Sequence, residues 1–174
     1  MVGGIAVSIR TLERFTKDID IAISVESDSA AELLVNSFKG AGFLIAYYLE
    51  KEEDGTLMTV RLTTGGEVEL FIDLLFATSG IESEVVANSM DTEVFPGFVD
   101  RVATIPSLLA MKVLSADWKI RPQDIFDIQN LLSEASPEQI AESRKLLNLI
   151  TERGYNRDKD LQADLDKYIA QFNS

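Results

Sequence analysis

The segment Asp18-Ile19-Asp20-Ile21-Ala22-Ile23 restricts the fold of this chain more than any other stretch. Its β-branched and apolar residues predict a strand buried in a sheet. Successive strand side chains point to opposite faces, so Asp18 and Asp20 share one face while Ile19, Ile21 and Ile23 share the other. One face therefore belongs to a core. The other carries two carboxylates about 7 Å apart, which repel each other and gain little from apolar neighbours. A cation is needed beside them, and a hard divalent ion such as Mg²⁺ is the natural candidate.

The pair Gly3-Gly4 lies upstream at the start of a predicted helix. Bare N–H groups at the positive end of a helix dipole suit a phosphate, and Ser8, one turn on, offers a hydroxyl. A third carboxylate stands alone in Leu70-Phe71-Ile72-Asp73-Leu74-Leu75-Phe76, within a strand predicted over 67–76. Val68, Leu70, Ile72, Leu74 and Phe76 would line one face of it, and Glu67, Glu69, Phe71, Asp73 and Leu75 the other. An ionised carboxylate there costs several kcal/mol unless paired. Its partner is either Arg14 or Arg61, or a metal shared with Asp18 and Asp20.

Composition narrows the chemistry. The chain has neither cysteine nor histidine, which excludes thiolate sites, disulfides, the Ser-His-Asp triad and most zinc centres. Carboxylates, lysines and hydroxyls must do the work. A net charge of −13 over 174 residues repels polyphosphates at long range, so nucleic-acid contact would have to be local. No apolar run approaches the roughly 20 residues that span a bilayer, and the start does not read as a signal peptide, so no membrane association and a cytoplasmic location are expected.

Elsewhere the patterns predict a helix from 27 to 40, strands at 43–49 and 56–62 across an acidic turn, and a short helix or ordered loop at 79–88. An edge strand is expected at 92–102, broken by Pro96-Gly97. From Thr104 the pattern turns helical, with helices over 108–116, 123–132, 136–153 and 159–172. Lys112 is the one charge in an otherwise apolar helix, and either snorkels outward or meets an anion. Asp124 and Asp127 share one face of the next helix. Asp124 suits the helix N-terminus; Asp127 lies beyond that first turn. The seam near Val102 divides a strand-rich half from a helical one. Lys112 has no obvious partner within its own half, which predicts that the halves pack as one unit.

Three carboxylates on two strands, with a phosphate-binding turn and a lone lysine, are what nucleotidyl transfer uses to hold two Mg²⁺ ions. The segments Val2–Ser8 and Glu13-Arg14-Phe15-Thr16-Lys17-Asp18-Ile19-Asp20-Ile21 resemble the signature of the AbiEii-type toxin branch of the DNA-polymerase-β-like nucleotidyltransferases. The likeness continues at Asp73–Glu82, Leu109-Ala110-Met111-Lys112 and Arg121-Pro122-Gln123-Asp124-Ile125-Phe126-Asp127-Ile128, and covers roughly residues 2–157. The resemblance implies an α/β (α+β) fold, a mixed sheet flanked by helices with a C-terminal helical part. Residues 1–103 would form the catalytic core and 104–174 a helical region packed on it. Asp18, Asp20 and Asp73 would be metal ligands, with Gly3, Gly4 and Ser8 at the nucleotide phosphates and Lys112 on the triphosphate. Arg14, Thr16 and Lys17 belong to the nucleotide-binding signature, and Asp124 and Asp127 to a second acidic motif, acting as base or holding Lys112.

By the same resemblance the substrate is an NTP, the acceptor is a tRNA 3′ end or a protein, and the partner is an antitoxin in a toxin–antitoxin or phage-defence system. Two departures are visible. Such proteins usually carry a helix before the glycines, whereas this sequence opens on Met1; and Arg10-Thr11-Leu12 replaces smaller residues expected to shape the nucleotide pocket. The alternative reading is a catalytically inactive nucleotide-binding or partner-binding module.

Overall fold

The isoleucine face of the aspartate segment is the surface on which the sheet is assembled. A computed structural model describes residues 1–66 and 69–172. In it β1 (Asp18–Ala22) runs parallel to β4 (Phe71–Leu75). β4 pairs antiparallel with β3 (Leu57–Thr63), and β3 with β2 (Leu44–Glu50), giving the order β1-β4-β3-β2. The aspartate strand is thus an edge strand and mostly half-buried, not one enclosed in the sheet. Two carboxylates on one face need water or a cation, and an edge leaves room for either. Val2 covers part of that edge, its N–H donating to the Asp20 carbonyl at 2.9 Å.

The opposite face of the sheet lies under α2 (Asp28–Gly40), which starts where the Ser27 hydroxyl accepts from the Ala30 N–H. Ala31 and Val35 of this helix bury against Val60, Leu62, Ile72, Leu74 and Phe76. The strand expected over 67–76 begins only at Phe71; Glu69 and Leu70 are instead held by bonds to the Thr63 and Thr64 hydroxyls. Glu67 and Val68 lie outside the described residues.

The single edge strand expected at 92–102 is a hairpin. β5 (Met90–Phe95) and β6 (Phe98–Val102) form a separate two-stranded sheet. Pro96-Gly97 turns the chain rather than interrupting a strand, with Gly97 at φ +79°, a value that suits only glycine. α1 (Gly3–Arg10) grips this hairpin through Arg10, whose guanidinium donates to the carbonyls of Ala103 and Val102 at 3.0 Å each.

α3 (Glu82–Asn88) leads into the hairpin, and after β6 the chain is helical: α4 (Ile105–Ser115), α5 (Pro122–Glu134), α6 (Pro137–Glu152) and α7 (Leu161–Phe172). α6 begins with a reciprocal cap between Ser136 and Gln139. Leu108, Leu109, Ala110, Val113 and Leu114 bury α4 on nearly every side, as a helix apolar apart from Lys112 requires. The larger core joins these helices to Val2, Ala6 and Val7, and to Ile81 and Val85, so it draws on both sides of the seam near Val102. Among the described residues no helix is long and apolar enough to cross a membrane.

Candidate active site

Strand register sets the site. Asp20 stands opposite Asp73, Asp73 opposite Arg61, and Arg61 opposite Tyr47, one transverse row across all four strands. Side chains opposite one another share a face. Asp18 lies on the same face, two residues before Asp20. The three carboxylates predicted to act together therefore line one cavity of about 400 Å³ between the sheet, α1 and α4.

The cation beside them is Arg61. It donates to both Asp73 oxygens, at 2.7 and 2.5 Å, and to Asp18 at 3.1 Å. Its guanidinium sits 5.3 Å from the ring centres of both Tyr47 and Phe71, a stacking that a planar, weakly hydrated cation favours. Asp73, mainly, holds its pKa above the ordinary arginine value. Of the two arginines proposed for Asp73, the structure selects Arg61. Among the described residues, no three ligating side chains form a ready-made metal cluster.

Asp20 is the uncompensated member. Burial, and then the neighbouring Asp73, push its carboxyl up from 3.8 to about 6, while Lys112 and the Gly4 N–H oppose the rise. The glycine pair explains how it fits. Gly3 has φ +66°, and a side chain there would overlap the Asp20 carboxylate. At Gly4 a side chain would come within 2.6 Å of the Arg14 guanidinium and 2.9 Å of the Thr16 hydroxyl. Both glycines line the cavity, but their bareness first serves close packing of this chain's own carboxylate and guanidinium.

Lys112 meets anions rather than snorkelling, and finds them in its own half of the chain. Its ammonium lies 2.6 Å from Asp124 and 2.8 Å from Asp127. The turn between α4 and α5 folds these helices against each other, bringing residues 12 and 15 positions on within reach. The halves are joined instead by Arg14, which donates to both oxygens of Asp127 at 2.7 and 2.9 Å. Asp127 is fully buried and held by two cations, an arrangement that positions Lys112 and Arg14. Asp124 does more than answer its helix dipole, since it also accepts from the Ser115 hydroxyl at 2.8 Å.

Arg14, Thr16, Asp18, Asp20, Asp73, Lys112 and the two glycines all line the cavity. Ser8 does not: its hydroxyl donates to the Gly4 carbonyl at 3.1 Å and accepts from the Arg14 N–H at 3.3 Å, tying α1 to the following loop. Lys17 is exposed and outside the cavity lining, and residues 10–12 are also outside it, Arg10 being turned to the hairpin. Tyr47, Arg121 and Arg157 are cavity residues that sequence reasoning did not single out. Tyr47 was legible in principle, as an aromatic on the strand paired with that of Arg61. Arg157 was not, because a loop far along the chain delivers it.

The family described as nucleotidyl transferase AbiEii toxin, type IV toxin–antitoxin system, matches residues 1–172. Among solved structures, the chain is similar to JHP933 from Helicobacter pylori at 14% identity and a TM-score of 0.42, covering 95% of this chain and 83% of that one. No curated protein matches. With the family's description spanning essentially the entire sequence, the chain belongs to the AbiEii nucleotidyltransferase toxin family.

Proposed function

We propose that the protein transfers a nucleoside monophosphate from an NTP to a hydroxyl of an acceptor, a tRNA 3′ end or a protein, and releases pyrophosphate. Residues 1–103 serve as the catalytic core, with the helical region 104–174 packed on it. The observation that carries the reading is the convergence of Asp18, Asp20 and Asp73 on one cavity, in a chain of a nucleotidyltransferase family. In the reaction the acceptor oxygen bonds to the α-phosphorus, the bond to the pyrophosphate oxygen breaks, and the hydroxyl proton leaves to solvent.

The three carboxylates fit Mg²⁺ by their chemistry. They are hard oxygen donors, a guanidinium already stands in as cation on two of them, and the third is left with excess negative charge. Asp18, Asp20 and Asp73 would hold the metal, and Arg61 would give up its bonds to Asp18 and Asp73 as it enters. Bound there, Mg²⁺ would neutralise phosphate charge and activate the attacking oxygen. Asp127 keeps Arg14 and Lys112 fixed at the cavity wall, and Tyr47 and Phe71 give Arg61 a surface on which to rest.

The partner suggested by the family name is an antitoxin. Salt dependence discriminates the acceptors, because an RNA contact weakens steeply with salt whereas a protein contact need not. The assay is labelled-nucleotide transfer with Mg²⁺ by wild type, Asp18→Ala and Asp20→Ala. Transfer by wild type alone supports the reading; transfer retained in both variants would sink it.

A second reading rests on Arg61 sitting where a metal would. In a nucleotide-binding or partner-binding module without catalysis, that arginine would be a permanent counter-ion. NTP would then raise the melting temperature equally with and without Mg²⁺, and no pyrophosphate would form.

A further inference from the structure

Five cationic side chains line the cavity: Arg14, Arg61, Lys112, Arg121 and Arg157. Three of them are committed. Arg14 is bidentate on Asp127, Arg61 is bidentate on Asp73 and reaches Asp18, and Lys112 is held between Asp124 and Asp127. The Gly4 N–H is directed at Asp20, and the Ser8 hydroxyl is taken by backbone. Gly4, Ser8 and Lys112, which a sequence reading assigns to phosphate, are therefore occupied by this protein's own acids and carbonyls.

Two guanidiniums remain. The nearest carboxylate oxygen to Arg121 is that of Asp124, at 4.0 Å, beyond hydrogen-bond reach. Arg157 donates to the Thr78 carbonyl at 3.1 Å and, among the described residues, makes no hydrogen bond or ion pair to a carboxylate, Glu82 acting on it only from a distance. Its position is built. Arg157 and Asp158 hold φ of +55° and +57°, a left-handed pair that non-glycine residues adopt only where the surroundings impose it. Next to the pair, Lys159 anchors the loop by donating to the Leu114 and Ala116 carbonyls at 2.8 Å each, at the end of α4. On the other side, Glu82 accepts from the N–H and hydroxyl groups of both Thr78 and Ser79, which fixes the loop that carries the Thr78 carbonyl. Loss of solvent, and then the like charge of Arg121, hold the Arg157 guanidinium below its ordinary pKa, with the charge of Glu82 opposing. In a chain of net charge −13, two arginines brought to one cavity with no carboxylate in hydrogen-bond reach of either call for an anion.

We propose that Arg121 and Arg157 bind the phosphate chain of the nucleotide substrate, leaving Lys112 to organise the acids of α5. This deepens the nucleotidyltransferase reading and rests on it for the identity of the anion. Paired guanidinium forks match phosphate oxygens in geometry as well as charge.

The test is calorimetric binding of inorganic tripolyphosphate in EDTA by wild type, Arg121→Gln, Arg157→Gln and Arg157→Lys. Lys39→Gln, an exposed charge on α2, controls for net charge. Loss of a charge-assisted bond predicts roughly tenfold or greater weakening in each glutamine variant. Arg157→Lys should fall between, and covers the case in which Arg157→Gln does not fold; Lys39→Gln should match wild type. An NTP should displace tripolyphosphate, and a dinucleoside monophosphate should not. Equal affinity in wild type and the arginine variants overturns the proposal, as does no binding by wild type, or displacement by the dinucleotide alone. Wild type that binds tripolyphosphate through these arginines but transfers no nucleotide would remove the proposed reaction and leave the subsite standing.

Discussion

Asp20→Asn should stabilise the metal-free protein while removing its activity. The carboxyl is pushed from 3.8 to about 6 by burial and by Asp73, so the folded state holds this proton more tightly than the unfolded chain does. Stability contributed at Asp20 is therefore greatest at low pH, declines as pH rises between 3.8 and about 6, and is fully lost above that. About two pKa units correspond to about 3 kcal/mol. The cavity admits solvent to this half-buried group, which lowers the expected penalty at pH 7.5 to about 2 kcal/mol. Asparagine has nearly the same shape and keeps an oxygen for the Gly4 N–H, so it relieves the repulsion without opening a cavity. For a chain of this length, about 2 kcal/mol raises the melting temperature by about 4–8 °C. The assay is thermal unfolding in EDTA from pH 5 to 8. Wild type should gain stability as pH falls from 7.5 to 5.5, and the variant should show a flatter profile with the higher midpoint at pH 7.5. A variant less stable than wild type at pH 7.5, or an identical pH profile in both, would refute the electrostatic account of this site.

The remaining predictions concern the groups around Asp20. Gly3→Ala should destabilise by at least ~2 kcal/mol in urea titration, because alanine disfavours the left-handed backbone and its methyl group meets the carboxylate. Asp127→Ala should cost about 3–5 kcal/mol in the same assay, since it leaves Arg14 and Lys112 without their shared buried partner. Arg61→Gln should bind Mn²⁺ about tenfold more tightly by paramagnetic resonance titration, as releasing Asp18 and Asp73 from their guanidinium removes a competitor worth at least one charge-assisted bond; unchanged or weaker Mn²⁺ binding would argue that Arg61 shapes the carboxylates rather than competing for them.

Local chemistry made much of this architecture readable. Ile19 and Ile21 against Asp18 and Asp20 gave the strand and its faces, the apolar run around Leu108–Leu114 gave a buried helix, and Ser136 with Gln139 marked the start of α6. Alternation cannot say which strands neighbour which, so the edge position of β1 and its register with Asp73 emerge only in the assembled sheet. Pro96-Gly97 reads as a break because proline cannot donate to a strand ladder, whereas pairing between Met90 and Val102 makes it a hairpin turn. From spacing alone Lys112 has no partner in its own half, because helix-to-helix contacts leave no spacing rule in sequence; the resemblance implies Asp124 and Asp127 as groups that could hold it, and packing of α4 on α5 brings both to it. For the site, residue types identified the carboxylates, but which cation each acid takes is a three-dimensional fact. Arg121 and Arg157 emerge only by elimination within it.

The proposed role of Asp18, Asp20 and Asp73 in metal-dependent nucleotidyl transfer is checked by pyrophosphate release from each of the four NTPs, measured with Mg²⁺ and with EDTA for wild type and Asp73→Asn. Wild type should release pyrophosphate with Mg²⁺ from at least one NTP and none in EDTA, and a folded Asp73→Asn should release none. Release that persists in EDTA, or in Asp73→Asn at the wild-type rate, would contradict it.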